Sequence, residues 1–322
     1  MKPLDLNGLK TYELRSRPSK VFVEDLGRPA SPETAAGVGD WLDTLPRQLA
    51  ANDLRKVRDH LCRARDDGRT IAAAIGGHVI KTGCGPYLID WIQQGLLKSV
   101  SLNGAAAIHD FELAFAGKTS EDVGAQLKAG KFGMARETAD AFAVAALAGA
   151  QNETGLGAAL GAYIEAQRCP YSESSVVYAA HHAGIPCTVH VAIGADIVHM
   201  HPHVSGAGLG EASLIDFRRL CAVVTTLAHG VWLNLGSAVM LPEVFLKAVS
   251  VAHNLGHNLD GLVAVNLDKE SRYRSTMNVL NRPSSEGYEL TGHHEVLLPL
   301  LHAAVACKAA ATTVVAPIAK AA

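Results

Sequence analysis

The fold is decided by residues 69–117, RTIAAAIGGHVIKTGCGPYLIDWIQQGLLKSVSLNGAAAIHDFELAFAG. Residues 70–76 and 98–103 read as short strands, apolar in continuous runs, the pattern of strands covered on both faces. A glycine-rich turn over 76–85 follows the first strand, and Gly104 closes the second. Residues 86–96 read as a helix, and another begins near residue 105. Strand, glycine turn and helix in repetition predict an α/β fold with a doubly wound, mostly parallel sheet.

The same rhythm continues downstream. SSVVYAAHHAG reads as a helix, PCTVHVAIG as a strand and SLIDFRRLCAVVTTLAH as a helix. GVWLNLGS, PEVFLKAVSVAHNLG and LDGLVAVNLD then predict strand, helix and strand. Residues 271–292 are polar and turn-rich and are expected to form a functional loop. A last helix is expected over 293–309, with ATTVVA as a last strand. Upstream, residues 1–67 are expected to form an N-terminal arm and helices. Ser31-Pro32-Glu33-Thr34 is a helix start, with a Ser cap, proline in the first turn and an acid beside it. Pro46 divides that region into two helices. Residues 119–168 are alanine- and glycine-rich and are expected to be a helical insertion. The whole chain, 1–322, is expected to be a single α/β domain.

Composition narrows the function classes. The chain has 322 residues, with 29 Lys and Arg against 31 Asp and Glu, and 48% hydrophobic residues. A net charge of -2 supplies no basic field for coating nucleic acid. The apolar content excludes global disorder. No secretory leader and no membrane span is apparent. Cys62, Cys84, Cys169, Cys187, Cys221 and Cys307 are dispersed, as expected for reduced thiols in a cytoplasmic protein.

Candidate site residues sit where strands end, since open α/β sheets bind ligands at those ends. After the first strand these are Gly77, Thr82 and Gly83; after the second, Asn103 and Gly104, followed by His109, Asp110 and Glu112. Asp196 follows Gly194 at a third strand end, and Asp216 on the next helix faces either the pocket or solvent. Gly236 and Ser237 close a fourth strand, and Glu243 opens the following helix, where it either orients a cationic substrate or caps. Asn266 and Asp268 close a fifth. Arg272, Arg274 and Arg282 form either an anion clamp or a surface ion network. His293 and His294 open the last helix, where an imidazole serves either proton exchange or as a cap. His199, His201 and His203 alternate, so an extended chain would turn all three one way as an alternative metal set. GxSxG and HExxH are absent.

The order of these segments resembles the deoxyhypusine synthase family. The segments carrying it are GGHVIKTG, LNGAAAIHDFE, SVVYAAHHAGIPCTVHVAIGAD, DFRRL, GVWLNLGSAV and VAVNLD, within about 65–118 and 173–305. The resemblance implies a Rossmann-like NAD-binding fold, NAD as cofactor and a homotetramer with sites across subunit interfaces. It also implies oxidation of a polyamine and transfer of its aminobutyl group through an imine on a lysine. Gly77, Thr82, Gly83, Asn103, Gly104, Asp196, Gly236, Ser237, Asn266 and Asp268 are the expected cofactor-binding residues. His109, Asp110, Glu243 and His293 are the expected catalytic ones. The family's Trp-Gly-Lys segment falls near 288–293, where neither Trp nor Lys stands. Without that lysine the usual Schiff base cannot form, and a translation-factor substrate is not expected. What remains is NAD-dependent oxidation or group transfer on a small amine, with no nucleic-acid or membrane partner. The alternatives are a metal-dependent hydrolase or lyase using the histidine loop, and a non-catalytic nucleotide-binding or regulatory protein.

Overall fold

Ile71, Ala73 and Ile75 point to one side of their strand and Ala72 and Ala74 to the other, and all five are buried. A strand without a wet face must lie inside a sheet covered by helices. The computed structural model, which describes residues 4–314, bears this out. In chain order the strands are β1 Val21–Phe22, β2 Ile71–Ile75, β3 Ser99–Asn103 and β4 Lys118–Thr119. They continue with β5 Cys187–His190, β6 Val231–Leu235, β7 Val263–Asp268 and β8 Glu286–Thr291. Six of them form one sheet in the order β5-β3-β2-β6-β7-β8, every pair parallel. The short strands β1 and β4 pair antiparallel outside it.

Each face of the sheet has its own core. Ile71, Ala73, Ile75, Leu233 and Val265 join Val79, Phe111 and Leu298 on one side. Ala72, Ala74, Trp232 and Ala264 join Leu220, Phe245 and Val249 on the other. Trp232 stands opposite Ala72 on one neighbouring strand and Ala264 on the other. Those small neighbours leave room for its indole, which stacks on Phe245 at 4.1 Å.

Local signals place the periphery. Ser31 caps helix Pro32–Thr44, accepting from the Thr34 amide at 3.3 Å. Helix Leu49–Asp66 begins beyond Pro46. Residues 119–168 carry helices Val123–Lys128, Arg136–Gln151 and Gly155–Ala166. A Cβ on Gly157 would lie 2.2 Å from the Cys187 carbonyl, and one on Gly161 would lie 2.7 Å from His181 Cβ. The small residues therefore serve close packing of helix Gly155–Ala166 within the chain.

Three expectations are corrected. Residues 271–292 are not a loop: they form a helical turn over 273–281 and then β8, the sixth strand of the sheet. The glycine-rich turn at 76–85 is interrupted by a helical turn, Gly77–Lys81, because His78, Val79 and Ile80 outweigh the flanking glycines. Ala311–Val314 of the expected last strand continue helix His294–Val314, and the remainder of ATTVVA lies outside the described residues.

Candidate functional site

Because the sheet is parallel, Ile75, Asn103, His190, Leu235, Asp268 and Thr291 all end at one edge. Chain progression reverses direction between β2 and β6, the switch point at which doubly wound sheets open a ligand crevice. The floor of this crevice is made by glycine. Gly76 N–H donates to the Leu235 carbonyl at 2.8 Å, and Gly236 N–H donates to that of Leu267 at 2.9 Å. A Cβ on Gly76 would lie 2.0 Å from the Gly236 oxygen. Gly236 also has φ +64°, which favours glycine. Helix Gly77–Lys81 opens directly above, and the N–H groups of Gly77 and His78 have no acceptor within it.

Beyond β6 a buried amide ladder crosses the sheet. Asn234 Nδ2 donates to Asn266 Oδ1 at 2.7 Å and to the Ser237 carbonyl at 2.9 Å, and Asn266 Nδ2 donates to Glu289 Oε1 at 3.1 Å. Ser237 Oγ accepts from the Leu241 amide, so it caps the following helix, Met240–Asn254. Asp268 is half-buried at the end of β7 and accepts from the Lys269 amide.

A histidine pair stands over the glycine floor. His78 Nδ1 and His294 Nδ1 lie 3.0 Å apart, and His294 is 1% exposed. A Cβ on Gly236 would meet His294 Nε2 at 2.8 Å, so this glycine also admits the imidazole. Burial is the leading cause that lowers both pKa values.

A second recess, about 260 Å³, opens beside helix Gly104–Ala116, which follows β3, and the turn after β5. Lys81, His109, Glu112, Glu121 and Asp196 line it. Arg17 from the N-terminal arm holds Glu112 with both guanidinium nitrogens, at 2.9 and 2.6 Å. Thr119 Oγ1 donates to Glu112 Oε2 at 2.6 Å, and Thr138 Oγ1 donates to Oε1 at 3.1 Å. His109 Nδ1 lies 2.7 Å from Thr119 Oγ1. The single hydroxyl proton of Thr119 is committed to the carboxylate, so His109 must donate from Nδ1. We assign its Nε2 as a lone-pair acceptor on this basis. Burial lowers the His109 pKa, which favours the neutral ring. Asp196 Oδ2 accepts from the Ala192 amide at 3.1 Å. A Cβ on Gly104 would strike this carboxylate at 2.2 Å. Burial raises the Asp196 pKa. Among the described residues, Lys81 forms no ion pair.

Several expected site residues have other tasks. Asp110 is fully buried and accepts from Ser175 Oγ and from the Val176 and Val177 amides, at 2.7 and 3.2 Å for the amides. It therefore holds the start of helix Val176–His182, and no ligand reaches it. Glu243 is engaged by Lys247, Arg274 and Asn278 in a surface network, while Arg272 pairs with Glu270. Arg282 donates to Asn278, so the three arginines do not converge as a free anion clamp. The His293 side chain is 68% exposed beside Glu295; its neighbour His294 is the one turned inward. Thr82 bonds back to the His78 carbonyl at 2.9 Å. Gly83 abuts Asp25 and Leu26, at the far end of the short helix from the crevice. Asn103 caps its own helix through the Ala106 amide.

The metal alternative is also corrected. Residues 197–200 wind into a tight helical turn, and although the His201 and His203 rings lie 5.9 Å apart edge to face, each of the three imidazoles has a partner of its own. His199 accepts from Gly194, His201 Nε2 meets the Gly133 carbonyl, and His203 pairs with Asp140. Among the described residues no His, Cys, Asp and Glu group of three could hold a metal. Asp216 faces inward: its Oδ2 accepts from the Gly157 and Val189 amides, both at 2.8 Å. The sequence reading missed His78, Thr119 and Arg17. His78 directly follows the glycine pair, which was a usable signal; Arg17 carries none.

Strand order, switch point and glycine floor together define a doubly wound, Rossmann-like α/β protein. Solved structures share the fold. AgrE, in its ternary complex with ornithine and NAD+, aligns with a TM-score of 0.52 at 17% identity over 78% of this chain. This chain spans only 32% of the AgrE length. A conserved LOR/SDH protein from Methanococcus maripaludis S2 aligns with a TM-score of 0.51 at 18% identity, over 87% of this chain and 73% of that one. An Entamoeba histolytica protein assigned as a deoxyhypusine synthase aligns at 0.47 and 11% identity, over 78% and 86% of the two chains. That last likeness is too loose to carry the family membership the sequence suggested. No family model and no curated protein matches the sequence. No helix among the described residues is long and apolar enough to cross a membrane.

Proposed function

We propose that the chain is a nicotinamide-dinucleotide-dependent enzyme acting on a small amine. The observation that carries this reading is the switch point, where the turns after β2 and β6 touch through Gly76 and Gly236. A side chain at Gly76 would strike the Gly236 carbonyl, and one at Gly236 would strike His294 and Val79. Above it, the Gly77 and His78 amides, which have no acceptor within their own helix, face the side on which a diphosphate would lie. In this strand order the adenosine half belongs over β3 and β5. There, His109 Nε2 and the Asp196 carboxylate offer two acceptors for ribose hydroxyls. The nicotinamide half then belongs over β6, β7 and β8, near His78, His294 and Asp268. When bound, the dinucleotide supplies a two-electron acceptor.

This division changes the role of His109. It becomes a cofactor-binding residue, and proton handling moves to the other half of the crevice. Ornithine with NAD+ in AgrE supports an amine carrying a carboxylate as the first substrate class to examine. The homotetramer and the cytoplasmic location belong to the same proposal, and sedimentation of the purified chain tests the former.

The test is calorimetric titration with NAD, then incubation with NAD and a panel of diamines, polyamines and diamino acids including ornithine. Reduced-cofactor absorbance and product masses are followed. Binding with turnover of at least one amine is expected. Absence of NAD binding sinks the cofactor reading, and binding without turnover across the panel sinks the enzymatic one.

A further inference from the structure

We propose that His78 and His294 form a proton-sharing pair that receives the proton an amine gives up in the crevice. The two rings come from opposite ends of the fold, 216 residues apart, and meet at the switch point with 3.0 Å between their Nδ1 atoms. Two neutral nitrogens this close must place one proton between them. His294 Nε2 is buried with no hydrogen-bond partner, and the Leu267 carbonyl lies against this imidazole. Since a carbonyl beside the ring favours a proton on the His294 nitrogen turned away from His78, we assign His294 Nδ1 as the lone pair and His78 Nδ1 as the donor. That leaves His78 Nε2 basic. His78 is half-buried, and no group among the described residues occupies this nitrogen.

The proton count closes without further partners. A ligand N–H gives its proton to His78 Nε2. The Nδ1 proton can then move to His294, which spreads one positive charge over both rings. Asp268, from the end of β7, and Glu295, beside His294, favour that charge; Lys81 on the short helix and Lys269 after β7 oppose it. His294 is therefore the positioning residue, and His78 is the one that meets ligand. The placement opposite an amine rests on the cofactor reading above; the shared proton rests on this geometry alone.

The experiment is nitrogen-15 NMR of the full chain labelled at histidine, assigned with His78→Gln and His294→Gln and titrated from pH 5 to 9. Coupled titration below the ordinary histidine range is expected, and each single variant should abolish the coupling seen in its partner. Independent titration near 6.5 overturns the proton sharing. Saturating NAD should shift both rings; NAD that binds by calorimetry without moving them overturns their placement. With whichever panel amine reduces NAD, His78→Gln should lower kcat about 10²-fold while the amine KM changes little, and remove the acid limb of the pH profile. Retention of both overturns the role of His78. If NAD does not bind or no amine reacts, the reading of function fails, while the apo titration still decides the pair.

Discussion

Thr119→Val separates the hydroxyl of Thr119 from its shape. The residue is 0% exposed, and valine fills nearly the same volume, so no cavity forms. Two hydrogen bonds are lost. The one to the Glu112 carboxylate contributes about 1.5–3 kcal/mol, as bonds to charged groups do. The other leaves His109 Nδ1–H without its acceptor, which costs about 1–3 kcal/mol for a buried donor. A destabilisation of about 3 kcal/mol or more is expected against a total of roughly 5–15 kcal/mol, which urea unfolding resolves easily. His109 is then free to move its proton to Nε2, and its nitrogen-15 shifts should report that change of tautomer. Thr119→Ser keeps both bonds, gives up one methyl group worth about 0.8 kcal/mol and should retain the Nδ1–H form. A valine variant within about 0.5 kcal/mol of the parent, with His109 still protonated at Nδ1, would refute the linkage from Arg17 through Glu112 and Thr119 to His109.

Arg17→Met leaves Glu112 charged and buried with two hydroxyl partners, and should cost about 3–5 kcal/mol in urea unfolding. Adding Glu112→Met should recover much of that loss. Gly76→Ala drives a Cβ to 2.0 Å from a backbone oxygen and should destabilise the fold and abolish NAD binding in calorimetry. Gly194→Ala, at φ +88° with no atom within 4 Å, should carry only the modest cost of its backbone angle on the same measurement. His190 is 3% exposed, and burial depresses its pKa to about 4. The unfolded chain therefore binds more protons between about 6.5 and 4, so this contribution is intact above pH 6.5 and declines toward pH 4, by about 3 kcal/mol in all. Unfolding of His190→Gln across that window should lack the decline. On the proposed placement of the adenosine ribose, Asp196→Asn should reduce the preference for NAD over its 2′-phosphorylated form about tenfold in calorimetric titrations, or 1.4 kcal/mol.

The strand ends were legible where one residue type has one physical use. Continuous apolar runs gave β2, β6 and β7, and Gly76, Gly104 and Gly236 marked turns whose close contacts exclude a Cβ. Strand β8, EGYELT, was hidden because it is an edge strand: only Tyr288 and Leu290 are buried, and charged neighbours give it the look of a loop. Adjacent histidines at 293 and 294 were indistinguishable until the helix phase was known. Arg17 lies 95 residues from Glu112, so no local pattern joins them. The alternation of His199, His201 and His203 implied a common direction only for an extended chain, and a tight helical turn removes that premise.

The acids illustrate why motif and role came apart. Asp110 and Glu112 stand two positions apart on one helix, so they leave it in different directions. Asp110 meets the amides of a second helix start, where burial raises its pKa to about 6 and three donors hold it in place. Glu112 meets Arg17 and two threonines, and through one of them sets the proton of His109. Neither carboxylate has to touch a ligand to shape the recess. Asp196, which lines the recess together with Glu112 and Glu121, comes from the turn after β5 and lies where Gly104 has no side chain. The glycine and the aspartate thus form one feature: the missing Cβ on β3's helix is what lets the β5 turn deliver its carboxylate. A sequence read strand by strand assigns those two residues separately, and only the parallel pairing of β3 with β5 joins them.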